Sequence, residues 1–355
     1  VTNDTVKAEG KAGRMGAQMM ATVCVRPGAR GKVYLSPDDL PLPVPDEDAI
    51  RARIAALTAE TGITPPDEPL PEKLTGGMCT IYGLTRFGDL FTPRQMLTLL
   101  TFVKHVRSAH DAMLAAGLDG EYAKGITTYL GMLNSRLADW NSTLTTWISG
   151  GEKLSDTYAR QALPMAWDFV EIFPLAPISG NSLDALDRMV FAVEQLIGTG
   201  EPATVSRGTA TKLPWTNESM TAVVTDPPYY DNISYSDLSD FFYTWQKRSL
   251  GNIYPEHFTG DTAPKKAEAI SASHRHKSDR AARDYYEQMM AQSFSEAFRV
   301  LKSDGYIVTV YAHKTTAGWS TLVDSLRFSG FSITEAWPLD TEKRGRSIAQ
   351  DTAAL

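Results

Sequence analysis

The sequence predicts an α/β protein in which a parallel sheet presents polar groups at the end of one strand. The short apolar run 222–224 stops abruptly at Asp226 and two prolines, and such strand ends are where open α/β sheets bind ligands. Farther along, strand patterns at 306–311 and 331–337 flank a helical pattern at 320–328. Because strands that alternate with helices form parallel sheets with right-handed crossovers, the predicted fold class is α/β.

Composition limits the functions that are open to the chain. Its 355 residues, of which 43% are hydrophobic, can bury a sizeable core in one large or two smaller domains. No apolar run is long enough to cross a bilayer, and the first residues lack the basic start and the apolar stretch of a signal peptide, so the expected location is cytoplasmic. Cys24 and Cys79 are too few for a disulfide framework and lack the paired spacing of a zinc site. No metal site is predicted.

Residues 1–75 are predicted to form a turn-rich N-terminal segment and a Pro-rich linker. The glycines between 9 and 20 follow no apolar strand, which a phosphate-binding loop requires, so a turn-rich basic hairpin is the favoured interpretation. The stretch 36–71 is dense in proline and acid and is interpreted as a surface linker with one short helical run. Because the chain starts with Val1 and runs straight into this segment, we expect it to be a fragment.

Residues 76–200 are predicted to be helical. The capping box Thr-Pro-Arg-Gln at 92–95 places proline at the first helical position, and apolar residues then recur at helical spacing. A second helix is predicted over 122–148, and a third apolar stripe, over 183–197, is followed by a glycine that ends it.

The loop that follows the central strand suits a reaction at a planar amino group. Val223 and Val224 are predicted to be buried on both faces of a sheet, and Pro227 must stop the strand because proline has no N–H for pairing. An exocyclic amino nitrogen is a poor nucleophile because its lone pair is delocalised into the ring. The Asp226 carboxylate and the Pro227 carbonyl can each accept one of its hydrogens, while the Tyr229 ring stacks on the base. A base inside a duplex must be flipped out to reach these groups.

The motif at 226–229 reads Asp-Pro-Pro-Tyr and matches the motif of amino-methylating DNA methyltransferases letter for letter. RNA guanine methyltransferases and protein glutamine methyltransferases carry close variants, so these four letters leave the substrate open. The continuation over 230–245 is similar to that of large bacterial adenine-specific DNA methylases that contain a zinc ribbon. The segments 89–95, 137–142 and 159–169 resemble the same family, so the resemblance spans nearly the whole chain. The ribbon cysteines are absent, which fits a fragment that starts downstream of the ribbon.

The resemblance implies a fold, an activity and a cofactor. Residues 201–355 are expected to form the core of a partial Rossmann-like, S-adenosyl-L-methionine-dependent methyltransferase fold, with 76–200 as a helical insertion. Such an enzyme transfers a methyl group to the exocyclic amino group of a flipped adenine in DNA, as in restriction–modification and phage defence. The implied catalytic residues are Asp226, Pro227, Pro228 and Tyr229, the implied base contacts are Tyr229 and Tyr230, and the implied contacts with the cofactor's adenine are Thr209 and Ala210.

The most basic stretch lies between Lys265 and Arg283, in a chain whose formal net charge is −7. Because an acidic chain has no global field that attracts nucleic acid, contact with DNA must come from such a local patch. Arg275 and Lys277, inside this stretch, are predicted to contact phosphates. The alternative is a solvated charged surface, which charge runs usually form. The next helix is predicted over 285–301.

Part of the expected cofactor site is missing from the sequence. No apolar strand is followed by a Phe-x-Gly-x-Gly turn, and 344–355 resembles the family's approach to a final strand that does not arrive. Thr209 and Ala210 have a plain surface turn as their alternative. Two hypotheses follow: an adenine methyltransferase completed by an upstream segment or a partner chain, and a non-catalytic nucleic-acid-binding module. Within the first, the cytosine amino group and RNA are alternative acceptors.

Overall fold

The computed structural model describes residues 1–338 except 29, 39–43, 76–77, 160, 177–179, 199, 231–232 and 314. The predicted approach to a final strand at 344–355 lies outside these residues, as do Asp231 and Asn232 from the continuation of the motif. Helices outweigh strands, and the strands form small sheets. The protein is therefore a mixed α/β protein, as the sequence predicts at this broad level.

The helices of the described residues vary from one turn to more than twenty residues. None of them is long and apolar enough to cross a lipid bilayer. In chain order they are α1 (Asn3–Lys11), α2 (Glu47–Thr61), α3 (Met78–Ile81), α4 (Pro93–Ala115), α5 (Gly120–Trp140), α6 (Ser182–Leu196), α7 (Tyr235–Leu250), α8 (Asp279–Val300) and α9 (Thr316–Phe328).

The strands of the described residues form three two-stranded sheets. Two of these sheets are antiparallel and one is parallel. The antiparallel pairs are β1 (Thr22–Val25) with β2 (Lys32–Leu35) and β3 (Trp147–Ile148) with β4 (Lys153–Leu154), and the parallel pair is β5 (Met220–Thr225) with β6 (Leu301–Thr309). The parallel pairing predicted for the central strand is confirmed.

The chain divides into two compact units. Unit 1 comprises Val1–Glu201 and Ser236–Ala263, and unit 2 comprises Pro202–Tyr235 and the described residues from Pro264 onward. The predicted regions 1–75 and 76–200 both fall in unit 1. The predicted region 201–355 supplies unit 2 and also gives residues 236–263 to unit 1.

In unit 1, the predicted capping box at the start of α4 is confirmed. The Thr92 hydroxyl accepts the backbone N–H of Gln95, and the Gln95 side chain accepts the N–H of Thr92. These two bonds satisfy N–H groups that have no partner inside the helix. The next helix is shorter than predicted: α5 ends at Trp140, and the chain has turned into β3 before residue 148.

The predicted surface linker at 36–71 is wrong. α2 lies within it and packs against α4, with Leu57 in the core of unit 1. Ile63 and Leu70, which follow α2, are also buried in that core. Proline and acid dominate the composition of this stretch, but its few large apolar side chains decide where it packs, because each gains by leaving water.

A buried ion pair joins the segment after α2 to α7 within unit 1. The Arg248 guanidinium donates to both carboxylate oxygens of Glu68, at 2.9 and 3.1 Å. It also donates to the carbonyls of Thr64, Pro65 and Thr244, at 2.6, 2.9 and 2.8 Å. Because both charged side chains are buried, these hydrogen bonds replace the water that each has lost.

Among the described residues, helices cover the parallel pair of unit 2 on one face only. On that face, Ile307 of β6 packs against the apolar cluster of α8 and α9. Val223, opposite Ile307, is half-buried, whereas Val224 is 74% exposed and Val308 beside it is 52% exposed. The prediction that both valines of β5 are buried on both faces is therefore wrong. Strand composition indicates pairing but does not reveal whether a second layer covers the sheet.

Other elements of unit 2 also differ from the prediction, in where they begin or in whether they form. β6 begins at Leu301, five residues before the predicted start, and Asp304-Gly305 lies in an irregular part of its pairing. α8 begins at Asp279, six residues before the predicted start, because the Ser278 hydroxyl caps it by accepting the N–H of Ala281. The described residues 331–337 contain no strand, since an apolar run forms a strand only where a partner satisfies its backbone groups.

Candidate functional site

The Asp-Pro-Pro-Tyr motif lies directly after β5, at the carboxyl edge of the parallel pair. The last paired residues are Thr225 on β5 and Thr309 on β6, and the N–H of Val310 donates to the Thr225 carbonyl at 2.9 Å. Both strands therefore end together. The segments that follow them, 226–230 and 310–313, contact each other through their aromatic side chains. Residues 226–230 are called the motif loop below.

Asp226 and Pro227 are the two acceptors at the start of the motif loop. Asp226 is exposed, whereas Pro227 is buried. Among the described residues, no donor reaches the Asp226 carboxylate or the Pro227 carbonyl, and no cation forms a salt bridge with Asp226. Both groups can therefore take hydrogens from a bound molecule.

The second half of the motif loop is held by hydrogen bonds. The Pro228 carbonyl accepts the Tyr230 N–H at 3.1 Å and the Tyr286 hydroxyl of α8 at 2.7 Å. The Tyr230 carbonyl in turn accepts the N–H of Ser271 at 3.0 Å. Tyr230 has a φ of 54°, a left-handed conformation that is uncommon for residues with a side chain and that needs support from its surroundings.

Aromatic side chains from α8 and from the segment after β6 back the motif loop. Tyr229 meets Tyr311 edge to face, with ring centroids 5.4 Å apart. Tyr230 meets Tyr286 at 5.1 Å and His313 at 5.7 Å, both near perpendicular. Tyr286, Tyr311 and His313 are buried, whereas Tyr229 and Tyr230 are half-buried. Tyr229 is therefore a partly accessible ring on a packed aromatic base, as stacking on a planar ligand requires.

Two tyrosine hydroxyls near the motif loop stay protonated. Burial raises the pKa of Tyr286 well above its ordinary value, and the neighbouring Tyr311 raises that pKa further. Burial also raises the pKa of Tyr235, as do the negative charges of Asp226 and Glu268. Both phenols therefore retain their O–H at neutral pH, so each can donate a hydrogen bond.

Arg275 and Lys277, the predicted phosphate contacts, have different surroundings. The Arg275 guanidinium is 16% exposed and pairs with the Glu268 carboxylate, and it also donates to the Ser234 hydroxyl four residues after the motif loop. Lys277 is exposed, and no salt bridge joins it to a described residue. The Lys277 ammonium group is thus exposed to solvent, whereas the Arg275 guanidinium is paired with a carboxylate of unit 2.

Thr209 and Ala210, the predicted cofactor contacts, lie in a tight exposed turn. The N–H of Lys212 donates to the Thr209 carbonyl at 3.1 Å, and the Thr209 and Thr211 hydroxyls are 2.8 Å apart. Within the described part of the chain, no hydrogen bond or ring contact joins Thr209 or Ala210 to the motif loop. The structure brings the motif loop together with Tyr286, Tyr311 and His313, but not with this turn.

The chain between this turn and β5 is tied to α8. Arg299 donates to the carbonyls of Leu213 and Trp215 at 3.1 and 2.9 Å, and the Glu296 carboxylate accepts the Leu213 N–H at 2.8 Å. The hydrogen bond from Arg299, followed by that from Leu213, lowers the pKa of Glu296 to about 2. Glu296 and Arg299 therefore fix the approach to the central strand.

Sequence reasoning did not identify Tyr286, Tyr311 or His313 as parts of the site. Tyr311 and His313 directly follow the second parallel strand, and the carboxyl ends of neighbouring parallel strands share one edge of a sheet. That rule alone would have placed them beside the motif. No sequence pattern links Tyr286 to the motif, because only the packing of α8 against the motif loop brings the two together.

The described residues do not by themselves fit S-adenosylmethionine. The cofactor needs a Gly-rich turn between a strand and a helix, and β5 leads into two prolines instead. β6 leads into Tyr311 and His313, and the first glycine that follows β6, Gly318, lies inside α9. The motif loop has two acceptors without a described donor, but a cradle for a methyl donor is not found among the described residues.

No family model matches the chain, and no curated protein or solved structure is significantly similar to it. The motif loop and the side chains that surround it are therefore the features of this chain that indicate a function.

Proposed function

We propose that unit 2 carries the base-recognition site of a DNA adenine methyltransferase, within a partial Rossmann-like methyltransferase fold. The observation that supports this most is the pair of acceptors at Asp226 and Pro227, presented at the carboxyl edge of two parallel strands with no described donor bound to either. Support for the fold comes from the parallel pairing of β5 with β6 and from the packing of α8 and α9 on one face.

The motif loop would act on the amino group of a flipped adenine. That group has two hydrogens, and the Asp226 carboxylate and the Pro227 carbonyl each accept one of them. The two bonds draw the nitrogen lone pair out of the ring and make it a better nucleophile. Because Pro227 and Pro228 have fixed φ angles, the acceptors need little reorganisation when charge develops. The Tyr229 ring stacks on the base, and S-adenosylmethionine, the methyl donor of this enzyme class, requires residues beyond those described.

Exposed basic side chains at the start of α8 offer contacts for the DNA backbone. Arg280 is 91% exposed, and Lys277 and Arg283 are also exposed. Tyr286, one helical turn after Arg283, donates to the Pro228 carbonyl, so these cations and the motif loop are linked through one helix. Phosphates that flank a flipped base are the ligands that such a patch would take.

The proposal is tested by asking whether the site reads an amino group. A single-stranded trinucleotide with adenine at its centre is compared with one that has purine, which lacks the amino group, in ligand-observed NMR titrations. We expect the wild-type chain to prefer adenine by about tenfold to a hundredfold, the range for one or two hydrogen bonds to a charged acceptor. Asp226→Ala should remove this preference. Asp304→Ala, which removes an exposed carboxylate of β6, is the matched control and should keep it.

Equal affinity of the wild-type chain for both trinucleotides would overturn the proposal. A preference for cytosine at the central position would move the acceptor to the cytosine amino group. An adenine preference that survives Asp226→Ala would place the amino-binding site elsewhere in the chain.

A second candidate function is a nucleic-acid-binding module without catalysis. It is favoured by the exposed Lys277, Arg280 and Arg283 together with the missing cradle for the cofactor. Such a module would bind DNA with strong salt dependence and would not distinguish adenine from purine. The trinucleotide comparison therefore separates the two functions.

A further inference from the structure

The Pro228 carbonyl is a motif acceptor that the protein itself saturates. A carbonyl oxygen has two lone pairs, and here the Tyr230 N–H and the Tyr286 hydroxyl occupy both. Pro228 therefore has no capacity left for a substrate. The two bonds also fix the direction of the Pro228 peptide plane, and with it the position of Pro227, whose carbonyl has no described donor.

The Tyr230 backbone is held in its left-handed conformation from two further sides. Its carbonyl accepts the Ser271 N–H, and its ring lies against the rings of Tyr286 and His313. Such a conformation persists only where the surroundings determine it. Tyr286 contributes twice, through its hydroxyl to Pro228 and through its ring to Tyr230.

His313 is itself immobilised, so it forms a firm wall for Tyr230. Its Nδ1 accepts the Thr315 N–H at 3.1 Å. Gly318 lies so close that a Cβ added there would be 2.3 Å from Nδ1. Larger residues at 318 would therefore push the imidazole out of its place.

We propose that Tyr286 is a positioning residue of the motif loop. It does not touch the substrate, since it is buried and its hydroxyl is bonded to Pro228. It locks the Pro228–Tyr230 turn, and this lock keeps the Pro227 carbonyl and the Asp226 carboxylate aimed at the amino group. This role rests on the proposed function of the loop.

The neighbouring residue on α8 provides a matched control. Tyr285 also donates its hydroxyl to a backbone carbonyl, that of Lys266, at 2.7 Å. Tyr286→Phe and Tyr285→Phe thus each remove a phenol-to-carbonyl hydrogen bond from the same helix and keep the ring. Only the first of these bonds reaches the motif loop. Tyr286→Phe also removes the hydrogen bond between the Tyr286 and Tyr311 side chains, which is part of the same support of the motif loop.

The first measurement does not depend on the function. Amide hydrogen exchange is followed at Ser271, whose N–H binds the Tyr230 carbonyl, and at Val310, whose N–H binds Thr225 at the strand end. Tyr286→Phe should speed exchange at Ser271 about tenfold and leave Val310 nearly unchanged, because the loop opens while the sheet stays paired. Tyr285→Phe should change neither amide. Equal acceleration of both amides in Tyr286→Phe, or none at Ser271, would overturn the positioning role.

The second measurement links the lock to base recognition. In the trinucleotide titrations, Tyr286→Phe should lose about tenfold of the adenine preference, whereas Tyr285→Phe should keep the wild-type value. Tyr286→Phe could keep the wild-type preference for adenine although its Ser271 amide exchanges faster. This result would show that the Tyr286 hydrogen bond does not position the acceptors. It would overturn the role of Tyr286 and leave the proposed function intact. No adenine preference in the wild type would instead overturn the proposed function, and with it this role of Tyr286.

Discussion

At the scale of single residues, Asp226 differs from two other carboxylates of unit 2. Glu268 pairs with Arg275, and Glu296 pairs with Arg299, whereas no described cation or donor binds Asp226. Water solvates an exposed carboxylate, so the lack of a protein partner is not by itself unusual. The position of Asp226 at the shared carboxyl ends of β5 and β6, beside a buried proline and partly exposed aromatic rings, is what favours a ligand.

Arg275 and Lys277 should behave differently when each is replaced alone. If Lys277 contacts a phosphate of duplex DNA, Lys277→Ala should reduce the slope of log affinity against log salt by about 0.9. Arg275→Ala should leave the slope unchanged, because its guanidinium is paired with Glu268. It should instead lower the melting temperature by loosening the segment around Ser234. Equal slope changes in the two variants would contradict these different roles.

Prediction from sequence worked best at this scale where the chemistry is local. The motif at 226–229 predicts two acceptors and a ring, and no described donor binds either acceptor. Tyr286 is 58 positions from Pro228 and becomes relevant only through packing. Sequence spacing cannot reveal contacts that are made between distant segments.

At the scale of elements, Glu296 makes the anchoring of the approach to β5 depend on pH. Its pKa in the folded protein is about 2, below the ordinary value of 4.5, because of Arg299 and the Leu213 N–H. A carboxyl group whose pKa is lowered by folding stabilises the folded state at pH values above its pKa in the unfolded chain. For Glu296 this stabilisation is lost as the pH falls from 4.5 toward 2. The melting-temperature difference between wild type and Glu296→Gln should shrink over that window.

The same titration should appear in the Leu213 amide resonance. Because this N–H donates to the Glu296 carboxylate, its chemical shift should follow protonation with a midpoint near 2 in the wild type. Glu296→Gln should abolish the titration. A midpoint at the ordinary 4.5 would show that the carboxylate is not held by Arg299 and Leu213.

The ion pair between Glu68 and Arg248 should be a strong determinant of the stability of unit 1. Glu68→Gln leaves the buried guanidinium with the exposed Asp67 carboxylate, 3.9 Å away, in place of a buried counter-charge. Breaking a buried pair typically costs about 3–5 kcal/mol of unfolding free energy. Glu60→Gln is the matched control, since Glu60 pairs with Lys104 and is 54% exposed. It should cost far less, because water screens an exposed pair. Urea denaturation measures both, and equal costs would show that burial does not strengthen the pair.

A capping side chain made the start of α4 predictable, from Thr92 and Gln95 alone. The cap of α8 by Ser278 was overlooked, so a cap in the sequence does not always reveal a boundary. Packing is harder still to predict: Val224 has the composition of a fully buried strand but lies on an open face, because no second layer among the described residues covers it. Residues 331–337 fail as a strand for a related reason: a strand requires a partner, which its own sequence does not specify.

At the scale of the whole molecule, the proposed function accounts for one of the two binding sites that methyl transfer needs. The proposed acceptors for a base lie in unit 2, whereas a Gly-rich turn after a strand is absent from the described residues. The glycine-rich stretch near the N-terminus does not replace it, because Gly10 lies at the end of α1 and packs against Tyr82 instead of following a strand. Holding the methyl donor in line accounts for roughly 7–11 kcal/mol of such a barrier.

We therefore predict that the 355-residue chain alone does not methylate DNA. Calorimetric titration with S-adenosylmethionine should show no saturable heat, and a labelled-methyl assay should give no product above background. Robust activity of the chain alone would show that it holds a complete cofactor site, with the glycines at 10–16 as the first residues to reconsider.

The most direct measurement identifies the labelled base. The protein, including any coding sequence that precedes Val1 in its gene, is incubated with methyl-labelled S-adenosylmethionine and unmethylated duplex DNA, which is then digested to nucleosides. We predict label on the adenine amino group, a loss of about a hundredfold or more in rate for Asp226→Ala with duplex affinity nearly unchanged, and a wild-type rate for Asp304→Ala. Full activity of Asp226→Ala, or label on cytosine, would contradict the assignment of the motif loop as an adenine site.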